Sequence, residues 1–439
     1  MRSLGLLALL SSGSLAVASS CPHNEGMRRV RKLTRVQESE KQGVATTTVS
    51  HDAGATAAEV LDAGSTGPAL ESFPPGPDAT VTAYAYLHTA NSRFGTYMEG
   101  CSVDQDGNVF AVNYGGASGD FEGGQAAHRD TLAQVLFTKP RDEEETPSLW
   151  ASGEGGDGQW LGVSFLRSDT DDERRALVAD RASKSIKMVT VSSDGQSITD
   201  FCGGPDEGML EPNDLVVASN GRVFITGNRW RPATTIGDGD LWTCRGDTRE
   251  ATQLAVDPVL QNSLLDRTNG IELSPDEDYL YVTETTNAAG RPHTSRILRY
   301  HVDIVTGVVG EPSVFYDFGE DDGPDGTGVD MGGLVTDQLG NLYVARTGGR
   351  EVVVIDSEGT KVLTIELTYS NPTNLEFGGP NGEILYIVGR CGNASNRTIW
   401  GQEVTVDADG VETGGVYGCV DTWKCPYAGR TWSALQQEA

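Results

Sequence analysis

The chain has 439 residues, with 63 Asp and Glu against 33 Lys and Arg, for a formal net charge of −30. That length exceeds what a single small core needs, and the charge argues against a nucleic-acid partner or an anionic membrane, both of which would repel it. No stretch approaches the roughly 18–20 consecutive apolar residues of a bilayer crossing.

In chain order, residues 1–18 read as a secretory signal peptide. Arg2 is the charged start, LGLLALL the apolar segment and Ala16-Val17-Ala18 the cleavage site. The mature protein is therefore expected to be secreted and extracellular. Cleavage one or two residues later puts Cys21 near the new N-terminus, although Ala18-Ser19-Ser20 lacks the aliphatic residue of a lipid-attachment site. Residues 19–80 are a low-complexity N-terminal extension in which Arg28-Arg29-Val30-Arg31-Lys32 is a candidate processing site. Strand patterning runs from Val81 to about Val406 and defines one domain, 81–406. The best helical candidates are ATAAEVLDA (55–63) and PVLQNSLLD (258–266). Residues 407–439 form a C-terminal tail with two Cys and two Trp, expected to close or cap the domain.

Within the domain one phrase recurs: a polar turn, then a short apolar strand. It reads DQDGNVFAVN (104–113), ASNGRVFITG (218–227), SPDEDYLYVTE (274–284), DQLGNLYVAR (337–346) and GPNGEILYIVG (379–389), with a degenerate copy at SDTDDERRALVADR (168–181). Asp, Asn or Gly stands where the backbone reverses, and Val, Ile, Phe, Leu or Tyr follows. A unit of this kind cannot bury its own apolar face, so the copies must stack and share a core. Six copies predict an all-β, six-bladed β-propeller, whose central channel gathers one loop from each blade.

Seven cysteines follow the signal: Cys21, Cys101, Cys202, Cys244, Cys391, Cys419 and Cys425. In an exported chain they read as disulfides, with at least one left over, and no C-x-x-C pair suggests a zinc ribbon. Cys419 and Cys425 either close a small loop or each tie the tail to a blade. Asn393-Ala394-Ser395 and Asn396-Arg397-Thr398 are glycan acceptor sequons in one loop.

Four phrases place an oxygen ligand beside a turn at the start of an inner strand: Glu99-Gly100-Cys101, Pro212-Asn213-Asp214, Thr268-Asn269-Gly270 and Val329-Asp330-Met331-Gly332-Gly333. Singly, each is ordinary turn chemistry. Together, in one register, Glu99, Asn213, Asn269 and Asp330 form an all-oxygen set suited to one divalent metal ion, calcium above all, with zinc or manganese as alternatives.

These phrases resemble the SMP-30/gluconolactonase/LRE-like family of six-bladed propellers over roughly residues 93–390. The resemblance implies a metal held by Glu99, Asn213, Asn269 and Asp330, and hydrolysis of a small-molecule lactone. It gives Asp330 the general-base role, and Asn213 and Glu211 contact with substrate. The family's Asp usually stands five residues before the next turn Asp. Here that count reaches Gly332, so Asp330 requires two inserted residues and Asp325 is the fallback. Some members carry a substrate-contacting Arg two residues before the Asn, where this chain has Glu211. Tyr97, Arg229 and Trp230 are expected near the same loops.

No G-x-S-x-G or H-E-x-x-H motif appears, and the six histidines are scattered. His128 is the candidate for a paraoxonase-like channel His, and His301 reads as structural. The alternative readings are a non-enzymatic calcium-binding propeller used as a binding module and, more remotely, a strictosidine-synthase-like propeller.

Overall fold

The computed structural model describes residues 79–87, 98–113, 131–135, 148–153, 159–168, 170, 172–255, 263–324, 326–391 and 417–437. The signal, the processing site, the helix expected at 55–63, both sequons, Cys21, Tyr97, His128 and Asp325 lie outside the described residues. Two short strands come first, β1 (Thr80–Thr82) and β2 (Tyr84–Leu87). The first sheet holds β3 (Met98–Val103), β4 (Val109–Asn113), β5 (Thr131–Val135) and β6 (Ser148–Ser152). The second holds β7 (Trp160–Leu166), β8 (Glu173–Asp180), β9 (Ser185–Ser192) and β10 (Gly195–Gly203). The third holds β11 (Glu211–Val217), β12 (Val223–Asn228), β13 (Gly239–Cys244) and β14 (Ala251–Leu254). The fourth holds β15 (Arg267–Leu273), β16 (Tyr279–Ala288) and β17 (Arg291–Asp303), with β18 (Val308–Val309) and β19 (Ser313–Glu320) both pairing with β17. The fifth holds β20 (Asp330–Thr336), β21 (Leu342–Thr347), β22 (Glu351–Ile355) and β23 (Lys361–Glu366), extended by β1 in parallel. The sixth holds β24 (Asn371–Gly378), β25 (Ile384–Cys391) and β26 (Tyr417–Lys424), completed by β2. One helix follows, α1 (Arg430–Gln436).

The first strands of these sheets touch in a closed cycle: β3 on β7, β7 on β11, β11 on β15, β15 on β20, β20 on β24 and β24 on β3. This is an all-β propeller with a central channel. Apart from α1 and one 3-10 turn at Pro205–Glu207, the described residues contain no helix. Each recurrent phrase supplies the turn after the inner strand and then the second strand. The second strands are buried on both faces, which is why they read as nearly unbroken apolar runs rather than alternating ones.

The core lies between sheets rather than at the centre. One apolar cluster fills each boundary between neighbours, as in Phe110, Trp160 and Phe165 between the first two sheets and Tyr281, Ile297 and Leu342 between the fourth and fifth. Each such side chain contributes about 1.5–3 kcal/mol on burial, so no sheet is stable without its neighbours.

The ring closes through both ends of the domain. β26, from the segment read as a tail, pairs with β25 along its length, and β2 pairs with β26. Cys391–Cys419 bridges β25 and β26, and Cys202–Cys244 bridges the second and third sheets. Cys101 and Cys425 are unbridged and buried. The α1 helix covers the end of the channel where the inner strands run out. Gln338 Nε2 donates to Ser433 Oγ at 2.7 Å, and Gln436 Nε2 donates to Gln105 O at 2.9 Å. The helix expected at 258–266 is not seen in its described part. Ser263 and Leu265 form β-bridges there, because Leu265 pairs with Gly239 and tertiary pairing overrides a short local period.

Candidate active site

All six inner strands share one irregularity near their start. The pairing register slips between Met98 and Cys101, Trp160 and Val163, Pro212 and Asp214, Thr268 and Ile271, Met331 and Leu334, and Pro372 and Asn374. A bulge leaves extra residues unpaired and re-aims a side chain. The residues in these slips include Glu99, Leu161, Asn213, Asn269, Gly332 and Thr373, and all six line one cavity of about 90 Å³ at the channel mouth. The propeller thus offers the same position six times, and the sequence fills it with a carboxylate, two amides, a hydroxyl, an apolar residue and a glycine.

The glycines beside these cavity residues have a separate purpose. A Cβ on Gly270 would lie 2.7 Å from Gly332 O, and one on Gly162 would lie 2.6 Å from Asn213 O. Only glycine lets adjacent inner strands approach so closely. The Asn-Gly phrase therefore carries two signals: an amide for the cavity and a gap for the neighbouring strand.

Glu99, Asn213, Asn269, Asp330 and Glu211 all line this cavity. Their register differs from the expectation in one respect. Glu99, Asn213 and Asn269 stand in the slips, whereas the slip in β20 holds Gly332 and Asp330 reaches in from two residues earlier. Glu211 and Arg267 stand at that same rim position, two residues before Asn213 and Asn269. Trp230 also lines the cavity. Arg229 does not; its Nε lies 3.4 Å from Asp238 Oδ1. His301 stacks near Tyr279 at 5.3 Å on β17, away from the cavity.

The sequence reading missed the arginines. Arg267 Nη2 donates to Asp330 Oδ1 at 2.6 Å, Arg390 Nη2 donates to Glu99 Oε1 at 2.7 Å, and Arg181 Nε donates to Glu211 Oε2 at 2.5 Å. Each pair joins neighbouring sheets. One signal was available: Arg267 occupies the rim position that had already been noted at Glu211.

The donor set fits a hard cation. Asp330 Oδ1 accepts from Arg267 and from the Met331 N–H at 2.8 Å, while Oδ2 accepts nothing from the described residues. Glu99 uses Oε1 alone in the same sense. Asn269 Nδ2 donates to Met331 O at 2.7 Å, which fixes its amide and leaves Oδ1 for another partner. Burial pushes the Glu99 carboxyl up, and the Arg390 guanidinium pulls it back toward ionisation. No cluster of three or more His, Cys, Asp or Glu is found among the described residues, as expected when half the donors are amides.

Residues 138–389 match the SMP-30/Gluconolactonase/LRE-like region. The chain is 30% identical over 199 residues to the pentonolactonase XacC of Haloferax volcanii, covering 45% of this chain and 60% of that protein. It is 33% identical over 287 residues to lactonase drp35 of Staphylococcus aureus, covering 64% of this chain and 72% of the relative. With the first relatives it matches, the chain spans only about half their length, between 37% and 60%. Among solved structures, a calcium-binding regucalcin from Agrobacterium tumefaciens superposes with a TM-score of 0.52 at 17% identity, over 79% of this chain and 98% of that one. At that identity the likeness concerns the fold alone. No helix among the described residues is long and apolar enough to cross a membrane. With more than half its length matched, the chain belongs to the SMP-30/Gluconolactonase/LRE-like family.

Proposed function

We propose that this protein is a secreted, divalent-cation-dependent hydrolase that opens sugar (aldono) lactones. The observation that carries the proposal is the convergence of Glu99, Asn213, Asn269 and Asp330 in one cavity, three of them delivered by the repeated bulge. The names of the lactonase relatives support the reaction class, and the calcium-binding regucalcin supports the choice of ion. The signal-like start and the two disulfides support export.

Glu99, Asn213, Asn269 and Asp330 would hold the ion, which when bound supplies Lewis-acid polarisation of the lactone carbonyl. Asp330 takes the proton of an attacking water, its carboxylate held in place at Oδ1 by Arg267 and the Met331 N–H. The water oxygen bonds to the carbonyl carbon, the bond from that carbon to the ring oxygen breaks, and Asp330 returns the proton to the departing ring oxygen. Asn213 and Glu211 orient ring hydroxyls. Leu161 and Trp230 supply apolar wall. Asn269→Ala tests the assignment: kcat/KM for aldonolactones should fall by about 10²–10³-fold while the circular dichroism and melting temperature stay near wild type. Retained turnover would remove Asn269 from the site and the proposed ligand set with it.

A further inference from the structure

Two arginines stand behind the proposed ligands, and each bonds a single oxygen of its carboxylate. Arg267 is 3% exposed and Arg390 5% exposed. Arg267 reaches from β15 to Asp330 on β20, and Arg390 from β25 to Glu99 on β3. Each contact crosses a boundary between sheets, so the blade packing itself sets where the carboxylates stand. Arg267 is held in turn: its Nη2 also donates to Asn287 Oδ1 at 3.2 Å, and Asn287 Nδ2 donates to Arg231 O at 2.8 Å.

A guanidinium has a planar fork that usually takes both oxygens of a carboxylate. Here each arginine makes a single hydrogen bond to its carboxylate. Both bonds on Asp330 converge on Oδ1, and the bond on Glu99 goes to Oε1. A guanidinium acting as an internal substitute for the ion would have used the fork and filled both oxygens. Resting on the site reading above, we infer that Arg267 and Arg390 are positioning residues for the cation, each anchoring one oxygen of its carboxylate and leaving the other to the ion. Outer partners of this kind orient ligands and tune metal affinity.

The test is calorimetric titration of calcium, then zinc and manganese, into the metal-stripped full chain. Wild type, Arg267→Lys, Arg267→Gln, Arg390→Lys and Arg390→Gln are compared, with folding checked by circular dichroism. The glutamine variants should bind the ion about 10–100-fold more weakly, with partial recovery in the lysine variants, which keep the charge and one donor. Tighter binding in the glutamine variants would make the arginines competitors of the ion and overturn the inference. A lowered melting temperature with unchanged affinity would make them structural only and also overturn it. If Arg267→Gln does not fold, the Arg390 pair and Arg267→Lys give the same reading. A folded wild type that binds none of the three ions would overturn the site reading itself, a result distinct from binding that ignores the arginines.

Discussion

At the mouth of the channel Glu99, Glu211 and Asp330 face Arg390, Arg181 and Arg267, one arginine to each acid. At the closed end Asp214, Glu272 and Glu376 lie around a cavity of about 20 Å³, which has room for roughly one water. Arg430, the first residue of α1, pairs there with Glu272 at 2.8 Å and approaches Glu277 at 3.5 Å. Burial with mutual repulsion pushes the Glu376 carboxyl up to about 8 and Asp214 up to about 7. Both ends are built from inner-strand residues only a few positions apart. The difference between them is cation supply. An arginine beside a carboxylate favours its anionic form, as Arg390 does for Glu99, whereas burial without such a partner favours the neutral form, as at Glu376.

The two ends should differ most sharply under substitution of a proposed ligand at the mouth. Glu99→Gln or Asn269→Ala should lower kcat/KM for a lactone by about 10²–10³-fold, in the range of losing one preorganised electrostatic contact. A steady-state assay checks this, and either variant working at wild-type rate would remove the distinction between the ends. At the closed end the large effect should fall on stability. Arg430→Ala strands Glu272 and should cost about 3–5 kcal/mol, read by denaturant unfolding. Turnover of the surviving folded protein should stay within a few-fold.

Stability should also depend on pH through Glu376. The folded-state pKa of Glu376 lies above its unfolded value of about 4.5. Between about pH 4.5 and 8 the folded state therefore binds more protons than the unfolded one, and stability falls as pH rises through that window. The contribution is fully present below about 4.5 and lost above about 8. Glu376→Gln should flatten the slope, by on the order of a few kcal/mol across the window, and an unchanged slope would mean that the group titrates normally. The smallest effect belongs to the exposed mouth pair. Arg181 and Glu211 are about a third exposed, so Arg181→Gln should change stability by under about 1 kcal/mol. If Glu211 contacts substrate, the same change should move KM a few-fold and leave kcat alone.

The sequence was most readable where the propeller repeats itself. The turn-and-strand phrases located the second strand of every sheet, and the Glu-Gly, Pro-Asn-Asp and Asn-Gly phrases located three bulge residues, because turn chemistry and close strand approach both leave local traces. Asp330 lines the same cavity although its register differs from the others, since Gly332 occupies the bulge in β20. What stayed hidden depends on ring closure. Arg390 and Glu99 are 291 positions apart, and Arg267 and Asp330 are 63 apart, so no local pattern links them. The same cause concealed β26. Its strand character appears only against β25 and β2, brought together from opposite ends of the domain. The apolar period at 258–266 misled for the converse reason: Leu265 had a long-range bridge partner that a local window does not see.

The most direct test is hydrolysis of glucono-1,5-lactone and a small panel of aldonolactones, followed by pH indicator, on metal-stripped protein before and after addition of calcium, zinc or manganese. The account predicts negligible turnover in the stripped protein and restoration by a divalent ion, calcium foremost. Folded protein that stays inactive with every ion would contradict it and favour a propeller that binds without catalysis, and full activity in the stripped protein would contradict the proposed role of the cation.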